Sequence, residues 1–97
     1  MTEAERLAHC ADIPRMLADI VVMGALKHDI PIRLLRSNRR TPDLIQARWQ
    51  IAAAARSIKA KVGAYPHRFS LTQIGRALNR DHTTILHGLR KIEQLQF

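Results

Sequence analysis

The chain has a single cysteine, Cys10, which excludes an internal disulfide and a cysteine metal cage. Aromatic residues make up only 4% of it while alanine and leucine abound, a balance that favours packed helices over a sheet. Apolar runs are short. The longest, Ile20 to Leu26, falls far below the span of a bilayer, so no membrane partner is expected. The first residues are acidic and polar, unlike a secretory signal, and a cytoplasmic, nucleoid-associated protein is expected. No GxxxxGK[ST] phosphate loop, internal repeat or low-complexity stretch is present. With 97 residues there is chain for one domain with a modest core and no large pocket for a small-molecule substrate.

Acid is scarce after residue 29. Residues 1–29 carry five acids against three bases, net −2, and residues 30–97 carry thirteen bases against three acids, net +10. A polyanion is the natural partner of the second part.

Punctuation along the chain predicts helices throughout and no strand. Thr2 caps a first helix over residues 2–11. Asp12 caps a second, with Pro14 in its first turn and its end near Lys27 or His28. Ile13, Met16, Leu17, Ile20 and Val21 form its inward face. Asp29 and Pro31 open a short third helix stopping near Arg36. Thr41-Pro42-Asp43 starts a long helix that runs to about Val62, where Gly63 ends it. Leu44, Ala47, Ile51, Ala54, Ala55, Ile58 and Val62 make its apolar stripe, while Arg48, Arg56 and Lys59 are free for solvent or phosphate. A loop over residues 64–69 follows. Ser70-Leu71-Thr72-Gln73 spells a capping box, and Leu71, Ile74 and Leu78 face inward while Gly75 admits a close neighbour. Asn79-Arg80 makes a tight left-handed turn. Asp81 caps a last helix to about Leu95.

Two short helices joined by a tight turn, the second starting with small polar residues, describe a helix-turn-helix over residues 71–95. Such a unit sets the start of its second helix in the DNA major groove. Asp81, His82, Thr83 and Thr84 lie there. Aspartate accepts from the cytosine amino group, threonine offers a hydroxyl and a methyl, and imidazole donates or touches a thymine methyl. A purely structural role leaves adjacent β-branched threonines in an exposed first turn unexplained. Arg80, Arg90 and Lys91 flank the helix and can hold phosphates. Catalysis is not expected. His82 and His87 are five apart and share no helical face for a metal, and the adjacent Asp81, His82 and Thr83 side chains point apart. No cofactor is implied. His87 is expected to pack or bond near the motif, and His9, His28 and His67 to be surface residues. Trp49 and Phe97 are read as core or half-buried ahead of interface anchors.

The stretch from Phe69 to Leu95, FSLTQIGRALNRDHTTILHGLRKIEQL, resembles the C-terminal DNA-binding domain of the DnaA replication-initiator family. RDHTT-x-x-H from Arg80 to His87, followed by Arg90-Lys91-Ile92-Glu93, is specific to that family. Weaker similarity runs upstream through Ile20-Val21, Leu34, Arg39-Arg40 and Ala47-Arg48. The resemblance implies an all-α, compact helical bundle with a C-terminal helix-turn-helix, of the DnaA domain IV and Trp-repressor-like type. The similarity covers roughly residues 16–95, and the chain is read as a DNA-binding domain over residues 12–97 with an N-terminal helical extension over residues 1–11. The resemblance also implies that Asp81, His82, Thr83 and Thr84 read the major groove, approached by Thr72 from the preceding helix, and that Arg40 enters the minor groove. Arg48 matches a phosphate-contacting arginine, with Arg39, Arg56, Arg80, Arg90 and Lys91 as further phosphate contacts. The implied site is double-stranded DNA resembling a TTATNCACA-type DnaA box.

Three departures stand out. Trp49 occupies a usual glutamine position, the loop around Ala64 to His67 is longer, and the turn Asn79-Arg80 is one residue shorter than the common glycine-glycine-arginine version. DnaA also needs an ATPase, whose phosphate loop is missing, so the expectation is a free-standing reader. Its first reading is a transcriptional regulator of the kind a prophage or gene-transfer element encodes. The second is a replication accessory or phage replication factor competing for DnaA boxes. The third is a DNA-tethered adaptor whose residues 1–29 bind a protein partner or form a homodimer.

Overall fold

The computed structural model describes residues 2–57, 59–62 and 65–95. Six helices and one short hairpin appear among them: α1 (Glu3–Ala11), α2 (Arg15–Lys27), α3 (Ile32–Leu35), α4 (Pro42–Ser57), β1 (Lys59–Val62), β2 (Tyr65–Arg68), α5 (Leu71–Leu78) and α6 (His82–Leu95). The fold class is all-α. Ile58, Gly63, Ala64 and Phe97, to which contacts, a helix stop and an anchor were assigned, lie outside the described residues, as do the side chains of Lys59, Val62 and His67.

The capping signals decide most boundaries. Thr2 accepts from the Glu5 amide at 3.2 Å, and Thr41 accepts from the Leu44 amide at 3.4 Å. Ser70 and Gln73 close a reciprocal capping box, the Gln73 amide donating to Ser70 Oγ at 3.1 Å and the Ser70 amide to Gln73 Oε1 at 3.0 Å. Ser70→Ala removes one half of that box and is expected to cost about 1 kcal/mol. Thermal melting followed by circular dichroism should show a fall of roughly 4–8 °C for a domain of this size. An unchanged midpoint would mean that the box does not hold α5.

Three expectations are corrected. Asp12 does not start α2. It ends α1 with φ 55°, its amide donating to the Ala8 carbonyl, and Pro14 precedes α2 without a side-chain cap. Asp29 likewise takes a left-handed conformation, φ 56°, and Pro31 precedes α3. An aspartate tolerates that backbone region because its short side chain bonds locally. Finally, α4 stops at Ser57, and an antiparallel hairpin replaces its last turn and the expected loop, with Lys59 opposite Arg68 and Val62 opposite Tyr65. The alternation Lys59-Ala60-Lys61-Val62 suits a strand as well as a helix, and Pro66 is tolerated in a two-stranded edge.

The core lies between α2, α4, α5 and α6. Leu17, Val21, Leu35, Ile74, Leu78 and Ile85 are fully buried within it. Ala18, Ala47, Ala52, Ala55 and Ala77 have no exposed surface, which lets the helix backbones approach. Gly24 serves the same end, because a Cβ there would meet the Ile51 side chain. Ala54, expected in the stripe of α4, is exposed. The N-terminal helix α1 adds Ala4, Leu7 and Ala11 to the same core.

Candidate nucleic-acid interface

The turn between α5 and α6 is built from three features. Asn79 adopts φ 56°, ψ 47°, and its amide donates to the carbonyls of Arg76 and Gly75. The Arg80 amide donates to the Gly75 carbonyl at 2.8 Å. Gly75 is needed because a Cβ at that position would collide with the Arg80 carbonyl. The second helix then starts with its amides directed outward. Asp81 caps it, Oδ2 accepting from the Thr83 amide at 3.1 Å.

Asp81, His82, Thr83 and Thr84 are all exposed in this first turn. Hydrogen bonds from the Thr83 side chain and amide hold the Asp81 carboxyl below the usual carboxylate range, with His82 adding a smaller effect in the same direction. Asp81 is therefore an anion at neutral pH, and His82 Nδ1 lies 3.5 Å from its Oδ1. Thr72, exposed on α5, lines one shallow concavity of about 440 Å³ with Arg76, Asn79, Arg80, Asp81 and His82. The two helices thus bring Thr72 to the same face as the start of α6.

Beside this face lies the basic connection between α3 and α4, with Arg39 and Arg40 exposed. Its shape depends on Arg48, which corrects the expectation of a free arginine. Arg48 is 4% exposed. Its Nε donates to the Leu35 carbonyl at 2.7 Å and its Nη1 to the Arg39 carbonyl at 2.7 Å. Its Nη2 donates to the carbonyls of Ser37 at 2.9 Å and Leu34 at 3.4 Å. A guanidinium suits this place because it offers five donors in a fixed fork. Arg80 is also drawn inward, donating from Nη2 to the Ser37 carbonyl and from Nη1 to the Asn79 carbonyl at 2.9 Å.

Three arginines therefore share a small volume. Burial first, then the positive charges of Arg80 and Arg40, push the Arg48 pKa down; burial and Arg40 do the same to Arg80. Neither guanidinium meets an acid among the described residues, so the cluster concentrates positive charge beside the start of α6. Arg56 is corrected as well. It is half-buried and donates from Nη1 to the Phe69 carbonyl at 2.6 Å, tying α4 to the start of α5.

Farther along α6, Arg90 and Lys91 are exposed, and Lys91 Nζ stands 5.1 Å from the centroid of the half-buried Trp49 ring. Gly88 makes room for that ring. His87 is exposed and not packed, and His28, expected at the surface, is half-buried. Overlooked in the sequence are Arg36 and the side-chain role of Asn79, which cross between the basic connection and the turn: Arg36 Nη2 donates to the Arg76 carbonyl at 3.2 Å and Asn79 Nδ2 to the Arg36 carbonyl at 3.0 Å. Their partners lie 40 and 43 residues away, beyond any local pattern. Among the described residues no group of three His, Cys, Asp or Glu side chains could hold a metal, and no helix is long and apolar enough to cross a membrane.

A short helix, a left-handed turn braced by a glycine, and a second helix opening on exposed polar side chains define a helix-turn-helix. Residues 18–92 match the family described as the bacterial dnaA protein helix-turn-helix. The chain belongs to that family of bacterial DNA-binding helix-turn-helix domains. The chromosomal replication initiator proteins DnaA of a Bradyrhizobium species, Nitrobacter hamburgensis and Rhodopseudomonas palustris are each 34% identical to it over 80 residues. Those residues are 81% of this chain and 15% of each relative. No solved structure matches.

Proposed function

We propose that this chain recognises a DnaA-box-like duplex through two grooves at once and acts as a transcriptional regulator by occupying that site. The observation that supports this reading best is the juxtaposition of the Arg40, Arg48 and Arg80 cluster with the exposed start of α6. A narrow A/T-rich minor groove concentrates negative potential, and Arg40 is the exposed member of the cluster that would enter it. Asp81, His82, Thr83 and Thr84 would read the neighbouring major groove, with Thr72 at its edge. Arg39 and Arg90 are free to hold phosphates, and Lys91 reaches the same flank beside Trp49. Arg48 has its donors on backbone carbonyls, so its contribution is to the shape of the surface, while Arg56 commits only Nη1 to a carbonyl. Competition with a replication initiator for its boxes is the second reading, favoured by the identity to chromosomal replication initiator proteins.

Fluorescence anisotropy with a TTATCCACA duplex and a scrambled duplex of equal composition, at two salt concentrations, tests recognition. A preference of about a thousandfold for the site is expected. Thr83→Ala and His82→Ala should each cost about 1–3 kcal/mol on the site and little on scrambled DNA, whereas Arg90→Ala should weaken both alike and reduce the salt slope by about one. Equal losses on both duplexes for all three variants would sink the division of roles.

A further inference from the structure

The basic connection and the helix-turn-helix turn are stapled together by three side chains. Asn79 Nδ2 donates to the Arg36 carbonyl at 3.0 Å, Arg36 Nη2 returns to the Arg76 carbonyl at 3.2 Å, and Arg80 Nη2 donates to the Ser37 carbonyl. Arg48 holds the other side of the same segment through the carbonyls of Leu34, Leu35, Ser37 and Arg39. Every one of these bonds ends on backbone, so together they fix where the segment runs. Arg40, which would enter the minor groove, is the next residue along. The cap of α6, Asp81, which would enter the major groove with the start of that helix, is two residues beyond Asn79.

We infer that Asn79 is a specificity-determining positioning residue: its side-chain bond to the Arg36 carbonyl sets the spacing between the minor-groove arginine and the major-groove helix. This rests on the two-groove reading above. Its physical basis is geometric, because a reader spanning two grooves must arrive with both elements at one separation, and a loop free to move pays an ordering cost on binding. Asn79 is suited to two tasks at once. It accepts the left-handed conformation that the turn needs, φ 56°, and still offers an amide donor. Glycine accepts the same backbone conformation more readily but has no donor.

That difference supplies the test. Asn79→Gly keeps the left-handed turn and deletes the side-chain donor, at some cost in backbone entropy; Asn79→Asp keeps the shape of the side chain and replaces the donor with an anionic acceptor, whose charge weakens binding to all three duplexes alike. Anisotropy titrations compare three versions of the TTATCCACA duplex: unmodified, with 2,6-diaminopurine for adenine, and with uracil for thymine. Diaminopurine adds an amino group in the minor groove only, and uracil removes a methyl from the major groove only. The wild-type chain should lose about tenfold or more on each modified duplex. Asn79→Gly and Asn79→Asp should bind the unmodified duplex several-fold more weakly, lose most of their sensitivity to diaminopurine, and keep the wild-type response to uracil. A thermal midpoint at or near wild type for Asn79→Gly excludes a folding defect as the cause. Diaminopurine sensitivity unchanged in both variants would overturn the positioning role while leaving the two-groove reading intact. A wild-type chain indifferent to diaminopurine would remove the minor-groove reading, and the inference with it.

Discussion

Arg48→Met should lower the unfolding free energy by about 2–3 kcal/mol and the thermal midpoint by on the order of 15 °C. Methionine fills a similar length of space, so the loss is of hydrogen bonds and not of packing volume. Four donations disappear, from Nε to Leu35, Nη1 to Arg39 and Nη2 to Ser37 and Leu34. The acceptors near the surface recover water, while the carbonyl of the fully buried Leu35 does not easily do so. One effect runs the other way. Arg48 is a buried cation repelled by Arg80 and Arg40, and its removal relieves that repulsion and the cost of burial. The bonds win because a charged fork on four carbonyls gains more than a neutral donor would. Arg48→Lys should recover only part of the loss, since an ammonium cannot span acceptors on both sides of the connection.

Urea denaturation followed by circular dichroism checks the stability, and the same anisotropy pair checks the DNA. If Arg48 shapes the basic connection, Arg48→Met loses at least ten times more affinity for the TTATCCACA duplex than for the scrambled one. If it touches phosphate, both duplexes lose equally and the salt slope falls by about one. A stability loss below about 0.5 kcal/mol would show that the four bonds are replaced by water without penalty.

The helix-turn-helix was legible from local chemistry because its determinants are local. Ser70 and Gln73 are three residues apart, and the left-handed Asn79 follows the end of its helix directly. The family signature falls on the same stretch, which is why class and family could both be read there. Arg48 was misread for the opposite reason. In sequence it is one more base on a long helix, and only the return of residues 34–39 across that helix buries it. Side chain to backbone bonds over such separations carry no periodic signal. The hairpin after α4 failed differently: a lysine–apolar alternation and a helical turn share the same residues over so short a segment, and α4 ends early. Asp12 and Asp29 show a third kind of error, since an aspartate between helices can start the next one or end the last, and here both take the left-handed conformation.

Gly75→Ala and Gly88→Ala are the same substitution on neighbouring helices and should behave oppositely. A methyl at Gly75 would strike the backbone carbonyl of Arg80. That atom cannot swing aside without moving the turn, which is also held by the Arg80 amide on the Gly75 carbonyl at 2.8 Å. Overpacking of this kind costs about 1–3 kcal/mol or more, and the gain in helix propensity, about 1 kcal/mol, offsets only part of it. A net loss of about 1–2 kcal/mol is expected, with the start of α6 displaced from α5. Affinity for the TTATCCACA duplex should then fall at least tenfold further than affinity for scrambled DNA, because phosphate contacts tolerate a shift that base contacts do not. At Gly88 the atoms nearest an added methyl all belong to the Trp49 ring. That ring borders an apolar groove of about 840 Å³ lined by Pro42, Ile45 and Ile92, into which it can turn. Gly88→Ala should therefore change stability by less than about 1 kcal/mol, with propensity compensating for the displaced ring. Parallel urea titrations of the two variants decide the matter. Equal losses would mean that Trp49 is locked as firmly as the turn, and a harmless Gly75→Ala would mean that the turn yields without disturbing the reading helix.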